Sequence, residues 1–242
     1  EGVLQSRQDV LSGILNGVDY DEWNTVNNPH LPASYHVGDL AGKKICKQFL
    51  QKDVGLPVSD IPLFGTVSRL AEQKGISVLV ETLANILCEN KMQFVGLGSG
   101  DRQLADKLNS LQKRFPNQVR FVDGYSNALA HQIEAGADYF VMPSRFEPCG
   151  LNQMYSLRYG TIPIVNGVGG LADTVHDIGL DKSTGLVLSQ LNTEELTSAF
   201  KLACGIYSSD QFSEMIQRGM GADFGWPKAS ADYLNCYHGK TI

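Results

Sequence analysis

From Pro62 onward, short apolar runs bounded by Gly, Pro or Ser alternate with amphipathic stretches of helical length. The apolar runs at 62–67, 93–97, 119–122, 139–142, 162–165 and 185–188 read as strands, and the stretches at 74–90, 101–114, 126–135, 150–159 and 171–177 read as helices between them. Strand and helix in strict alternation predict βαβ units joined by right-handed crossovers. The expected fold is therefore α/β, a Rossmann-like doubly wound parallel sheet with helices on both faces. After the last strand the pattern turns wholly helical, at 193–207, 210–220 and 226–237. The first 60 residues differ, being rich in Asn, Asp, Gly and Pro, as in GVDYDEWNTVNNPHLP (17–32), with one helical stretch at 43–52. They read as a connecting segment without a core. No internal repeat or low-complexity segment interrupts the pattern.

Composition narrows the classes. The 242 residues are ample for a real core, and 43% are hydrophobic against 19% charged. Twenty Lys and Arg against 26 Asp and Glu leave a net charge of −6, with no basic surplus for a nucleic acid or an anionic membrane. No apolar run approaches the roughly 20 residues of a bilayer-spanning helix, and no signal-peptide pattern opens the chain. Cys46, Cys88, Cys149, Cys204 and Cys236 are odd in number and scattered without a CxxC pair, which argues against a disulfide framework or a zinc knuckle. A reducing cytoplasm is the expected compartment. The chain starts with Glu1, as a processed protein or a piece of a longer one would.

In a doubly wound sheet, ligands bind beyond the carboxyl ends of the strands, so the loops that follow each strand carry the candidate chemistry. VSRLAEQKG (67–75) places Arg69 and Lys74 after the first strand, where a dehydrogenase would carry a G-x-G-x-x-G turn. Two cations there suit a phosphate, one by a forked contact and one as a point charge. In GLGSGD (96–101) the glycines permit close backbone approach, and Asp101 reads primarily as a helix N-cap. PSRFEPCGLNQMYSLRYG (143–160) is the densest site: Glu147 can accept hydrogen bonds from sugar hydroxyls, and Cys149, Gly150, Leu151 and Asn152 are expected to open a helix whose free N–H groups suit an anion. Gly169 and Gly170 precede the next helix, as a turn demanding positive φ and, compatibly with that, with backbone N–H groups that can face a ligand. Tyr125 follows the third strand, where a lone aromatic either packs or stacks on a base. GKT (239–241) lacks the upstream glycine of a P-loop, DYD (19–21) reads as turn chemistry, and the five histidines show no metal-ligand spacing.

Five segments, NGVDYDEW (16–23), VSRLAEQKG, GYS (124–126), PSRFEPCGLNQMYSLRYGTIPIV (143–165) and GVGGLADTV (167–175), together closely resemble the bacterial glycogen synthase and plant starch synthase family along nearly the whole chain. The resemblance implies the carboxy-terminal lobe of a GT-B glycosyltransferase, an enzyme of two Rossmann-like lobes. Such an enzyme transfers glucose from ADP-glucose, with retention and without a metal or other cofactor, to the non-reducing end of an α-1,4-glucan. By resemblance Arg69 and Lys74 hold the donor diphosphate, and Glu147 and Asn16 contact the glucosyl group. The N–H groups near Cys149, Gly150 and Leu151, with Gly169 and Gly170, face sugar and phosphates, and Tyr125 stacks on adenine. Asn152 stands where the family often has Thr, which changes the hydrogen-bonding geometry.

The family's K-x-G-G-L loop, which belongs to the amino-terminal lobe with the acceptor groove, does not occur. The expected layout is a hinge segment at 1–60, a nucleotide-sugar lobe at 61–222 and a helix at 223–242 crossing back to the other lobe. Trp226 and its apolar neighbours would then be exposed or docked locally. Such a lobe is expected to bind ADP weakly and not to elongate glucan alone. The compartment would be cytoplasm, or plastid for a plant chain. A UDP-sugar transferase of the same fold and a non-catalytic nucleotide-binding module are the alternatives, and the latter would be favoured by loss of Arg69, Lys74 or Glu147, all of which are present.

Overall fold

The computed structural model describes residues 2–239. The GKT reading at 239–241 and the end of the 223–242 segment fall partly outside them. Strands β1 (Leu63–Val67), β2 (Gln93–Gly98), β3 (Val119–Asp123), β4 (Tyr139–Met142), β5 (Ile162–Asn166) and β6 (Leu186–Leu188) form one sheet. Its order is β3-β2-β1-β4-β5-β6, and every neighbouring pair is parallel. This is the expected doubly wound Rossmann-like sheet, with its order reversing between β1 and β4. β2 and β5 are buried along their whole length, as strands covered by helices on both faces must be.

The helices are α1 (Gly2–Gln5), α2 (Ala41–Asp53), α3 (Ile76–Ile86), α4 (Arg102–Arg114), α5 (Asn127–Gly136), α6 (Asn152–Arg158), α7 (Gly169–Thr174), α8 (Thr193–Ile206), α9 (Asp210–Gly221) and α10 (Trp226–Tyr237). Side-chain caps start four of them: Asp101 accepts from Gln103 and Leu104, Ser126 from Leu129, Asn192 from Glu195, and Ser209 from Phe212. None of the helices among the described residues is long and apolar enough to cross a membrane. Four start points differ from the periodicity by two residues, α2 starting at Ala41 where the pattern put it at 43. α3 begins at Ile76 because Gly75, at φ +68°, separates it from a 3₁₀ turn over Glu72–Lys74. α6 begins at Asn152 because Gly150, at φ +70°, turns the chain first. α7 starts two residues earlier than periodicity placed it and is over by Thr174, with Val175 already extended.

Alternate strand residues sort the core onto the two faces. Phe64, Phe94 and Tyr139 face one way with Leu83 and Phe200. Leu63, Val95 and Phe140 face the other with Ile133, Leu129 and Leu50. Leu50 belongs to α2, inside the segment read as a connector without core, and the structure corrects that reading. α2 packs on α5 so closely that a Cβ on Gly136 would lie 2.9 Å from the Leu50 side chain. Lys43, almost fully buried, donates at 2.7–3.1 Å to the carbonyls of Ala135, Ala137 and Tyr159 and to Thr161 Oγ1. It thus places a cation on the unsatisfied carbonyls at the end of α5. Burial pushes its pKa down to about 8. One turn on, Lys47 donates to Asp138 Oδ2 at 2.6 Å, and the same oxygen accepts from the Leu63 amide at 2.7 Å. The polar residues of α2 gave no hint of this in the sequence, because a lysine on an amphipathic helix ordinarily lies in water.

The segment before α2 is anchored too. Trp23 stacks between the rings of His131 and Tyr155, at centroid distances of 4.0 and 3.8 Å. The DYD motif makes the expected turn, with the Asp21 amide donating to Asp19 Oδ1. Val18 pairs with the start of α10, its amide donating to Phe224 O at 2.7 Å. Trp226, Tyr233, Leu234 and Tyr237 on α10 remain partly or largely exposed.

Replacing Leu50 with Ala is expected to cost about 2–5 kcal/mol of unfolding free energy in urea, as for a buried core leucine; an unchanged midpoint would return residues 1–60 to the status of a connector. His131 has no exposed surface, and its pKa is lowered to about 4 by burial and by His30 alongside, with Glu22 at 4.0 Å from Nε2. Between pH 6.5 and 4 the unfolded chain binds a proton that the folded chain refuses, so this group's stabilisation is present above that window and is lost as pH falls through it. Glu134, held well above the usual carboxylate range by burial, acts in the opposite direction over the same window. The expected observation is therefore comparative: the melting temperature of His131→Asn falls less between pH 6.5 and 4 than that of the unmodified chain.

Candidate functional site

The loops beyond the carboxyl ends of β1, β2, β3 and β4 enclose a cleft of about 330 Å³ at the point where the strand order reverses. Its walls are held by backbone. The chain continues parallel pairing past β1 and β2, with hydrogen bonds from Ser68 N to Leu97 O, Leu70 N to Ser99 O and Asp101 N to Leu70 O at 2.8–3.0 Å. A Cβ on Gly98 would sit 1.9 Å from Ser68 O, which accounts for the glycines of GLGSGD as a close passage between loops. Asp101 is the N-cap that the sequence suggested. On the other side Gly75 lies against the Pro143 carbonyl, and Arg145 N donates to Gln73 O at 2.8 Å.

These contacts bring together Arg69, Lys74, Tyr125, Glu147, Gly150, Leu151 and Asn152 on one cleft. Glu147 is buried, and its carboxylate accepts a short ion-paired hydrogen bond from Lys74 Nζ and a longer one, at 3.3 Å, from Ser144 Oγ. Asn166, at the end of β5, fixes Ser144 from behind by donating to its carbonyl at 2.9 Å. Arg69 is exposed, and its guanidinium has no hydrogen-bond or ion-pair partner among the described residues. One anion and two cations thus occupy the cleft, so one positive charge is available to a ligand. Tyr125, 82% exposed, stands at the rim with its ring face open.

Asn152 lines the cleft with its amide nitrogen already engaged, and the remaining candidates lie outside the cleft lining. Asn152 turns its amide nitrogen onto Val67 O at 2.8 Å, tying α6 to the end of β1. Gly169 and Gly170 stand behind the cleft: the Gly170 amide donates to Glu147 O, and a Cβ on Gly169 would come within 2.1 Å of that oxygen. Gly169, at φ +48°, makes the turn, while the Gly170 amide is used on Glu147 O, and together they position Glu147 from the rear. Cys149 is half-buried beside the cleft and its carbonyl points into the protein. Asn16 lines a separate hollow of about 430 Å³ with Asp173, Asp223, Lys228 and Asp232, between the first residues and α10. Ser144, Asn166 and Gln153 support the cleft and were not singled out in the sequence. Their signal was faint, a polar residue at a position that the strand or helix pattern buries.

Residues 61–203 match the family of glycosyl transferases group 1. A glycogen synthase from Aeromonas hydrophila is 46% identical over 239 residues, covering 97% of this chain and 49% of that protein. Soluble starch synthase 1 of Solanum tuberosum is 42% identical, covering 96% of this chain and 37% of that one. The catalytic domain of starch synthase IV from Arabidopsis thaliana, solved bound to ADP and acarbose, superposes with a TM-score of 0.90 at 34% identity, covering 98% of this chain and 50% of that one. The chain thus spans about half the length, or less, of the curated relatives it matches.

Gly75→Ala would force a side chain to φ +68° and onto the Pro143 carbonyl, 1.8 Å from its Cβ. A loss of about 2 kcal/mol or more in urea unfolding is expected. Gly205→Ala, in α8 with nothing within 4 Å, is the control and should be neutral or stabilising by about 0.5 kcal/mol.

Proposed function

The chain belongs to the group 1 glycosyl transferases, and from that premise we propose that it is the donor-binding lobe of a glucan synthase. The reading is that the cleft takes ADP-glucose and that the whole enzyme passes the glucosyl group, with retention, to the non-reducing end of an α-1,4-glucan. One observation carries it: Arg69 and Lys74 from the loop after β1 and Glu147 from the distant loop after β4 converge on one cleft at the reversal of the strand order. Similarity to glycogen and starch synthases, one of them solved with ADP, supports the choice of donor.

In this reading the donor diphosphate lies between Arg69 and Lys74. Lys74 already bonds a carboxylate in the free chain, so its ammonium is oriented before an anionic ligand arrives. As the bond from the anomeric carbon to the diphosphate oxygen breaks, negative charge grows on the leaving ADP. Fixed cations beside that oxygen stabilise the developing charge more than the ground state and so lower the barrier. Glu147, turned partly free of Lys74 by the diphosphate, accepts hydrogen bonds from the glucosyl hydroxyls. The acceptor hydroxyl attacks on the face the diphosphate leaves, and its proton passes to the departing phosphate oxygen. Tyr125 stacks on the adenine. The two cations supply the charge that a metal would bring, so no metal or other cofactor enters this proposal. The glucan acceptor and the rest of the active site belong to the amino-terminal lobe of the proposed two-lobed enzyme.

Titration calorimetry of the chain with ADP, UDP and NAD tests the reading. ADP should bind with preference over both others, and Arg69→Glu should weaken ADP more than about tenfold by replacing a cation with an anion. A preference for UDP would overturn the donor, and an unchanged affinity in Arg69→Glu would overturn the diphosphate assignment.

A further inference from the structure

Resting on the nucleotide reading above, we propose that Gln153 is a positioning residue that aims the Gly150 and Leu151 amides at the donor diphosphate. Gln153 is wholly buried in α6 and does not line the cleft. Its amide nitrogen lies 3.1 Å from each of three acceptors: the Cys149 carbonyl, the Gly150 carbonyl and Thr174 Oγ1. Thr174 in turn donates to Gly170 O at 2.6 Å, which locks the hydroxyl so that it accepts from Gln153. The two N–H groups of this amide are shared among the three acceptors, which keeps two consecutive carbonyls on the inner side of the 149–151 loop and links them to α7.

The consequence follows from peptide geometry. In a trans peptide the C=O and the following N–H point in opposite directions, and there is no cis peptide among the described residues. With the Cys149 carbonyl turned inward, the Gly150 N–H points outward; with the Gly150 carbonyl inward, the Leu151 N–H points outward. Gly150 and Leu151 both line the cleft. Neither amide has an acceptor among the described residues. Two adjacent donors without acceptors, facing the same cleft as Arg69 and Lys74, form a concave anion cradle of backbone. A regular helical start does not supply them, since α6 begins only at Asn152.

A second feature marks the site as built for this pose. Gln153 Oε1 is buried without a partner, an arrangement that costs free energy. That oxygen lies where a side chain on residue 150 would go, 2.4 Å from a Cβ on Gly150. Rotating the amide by half a turn would set the oxygen against two carbonyls, with the Thr174 hydroxyl as its one donor within reach. The orientation observed is the one that holds both carbonyls inward.

The experiment is a titration of the ¹⁵N-labelled chain with ADP, followed by amide resonances, on the unmodified chain, Gln153→Met and Thr174→Val. Met matches Gln in length and removes its donors; Val matches Thr in shape and removes the hydroxyl. In the unmodified chain the Gly150 and Leu151 amides should move downfield on binding, along with Gly124 and Tyr125 at the base side. In Gln153→Met the shifts at Gly150 and Leu151 should disappear and ADP should bind about tenfold more weakly, while those at Gly124 and Tyr125 persist at saturation. Thr174→Val should change the same two amides in the same sense, and it decides the matter should Gln153→Met fail to fold. Gly150 and Leu151 shifts and an ADP affinity equal to those of the unmodified chain, in the folded variant, would overturn the role of Gln153. No ADP-induced shift at any of the four amides of the unmodified chain would instead overturn the nucleotide reading, and the role of Gln153 with it.

Discussion

At the carboxyl edge of the sheet, carbonyl oxygens of one loop occupy space that a Cβ of the next would fill. Ser68 O lies against Gly98, Pro143 O against Gly75, and Glu147 O against Gly169, each 1.8–2.1 Å from the Cβ position. Contact at that range is possible only between bare backbones, and hydrogen bonds between the same loops seal it. The cleft depends on this constraint. Side chains between the loops would spread them apart, and Arg69, Lys74 and Glu147 would no longer share one space. Flexible cationic side chains are thus presented from a frame that has little freedom of its own.

The charges in the cleft follow a similar logic. A buried carboxylate is costly unless paired, and Glu147 is paired with Lys74 and supported by Ser144, itself fixed by Asn166. Removing either partner would leave an uncompensated charge in a partly dry site. Arg69, by contrast, stays in solvent and is available without breaking any existing contact. The asymmetry matters for binding: one cation is held in place by a resident anion, and the other stands free to meet a ligand.

The first sixty residues show how polar chemistry can build a core. Lys43 and Lys47 reach from α2 under the sheet to the end of α5 and to Asp138, while Leu50 fills the apolar space between. The Trp23 stack on His131 and Tyr155 then fastens the preceding segment to α5 and α6. Val18 links the same segment to the start of α10. This places Val18 beside the start of α10, with the apolar residues of α10 still partly uncovered.

The alternation of apolar runs and amphipathic stretches determined the six strands, their parallel pairing and the crossovers, because a strand buried on both faces and a helix covering it impose distinct periods on the sequence itself. The loop chemistry was legible as well: cations after β1, a carboxylate and glycines after β4, and Asp101 as a cap. Only the tertiary structure decided which of these residues meet. Asn16 went to a separate hollow, Gly169 and Gly170 went behind Glu147, and Asn152 bonded a strand end. It also decided that α2 belongs to the core and that the carbonyls of 149 and 150 are bonded by the buried Gln153. These outcomes rest on contacts between residues distant in sequence and on single peptide orientations. Neither leaves a period in the chain, since a buried lysine or glutamine is written with the same letter as an exposed one.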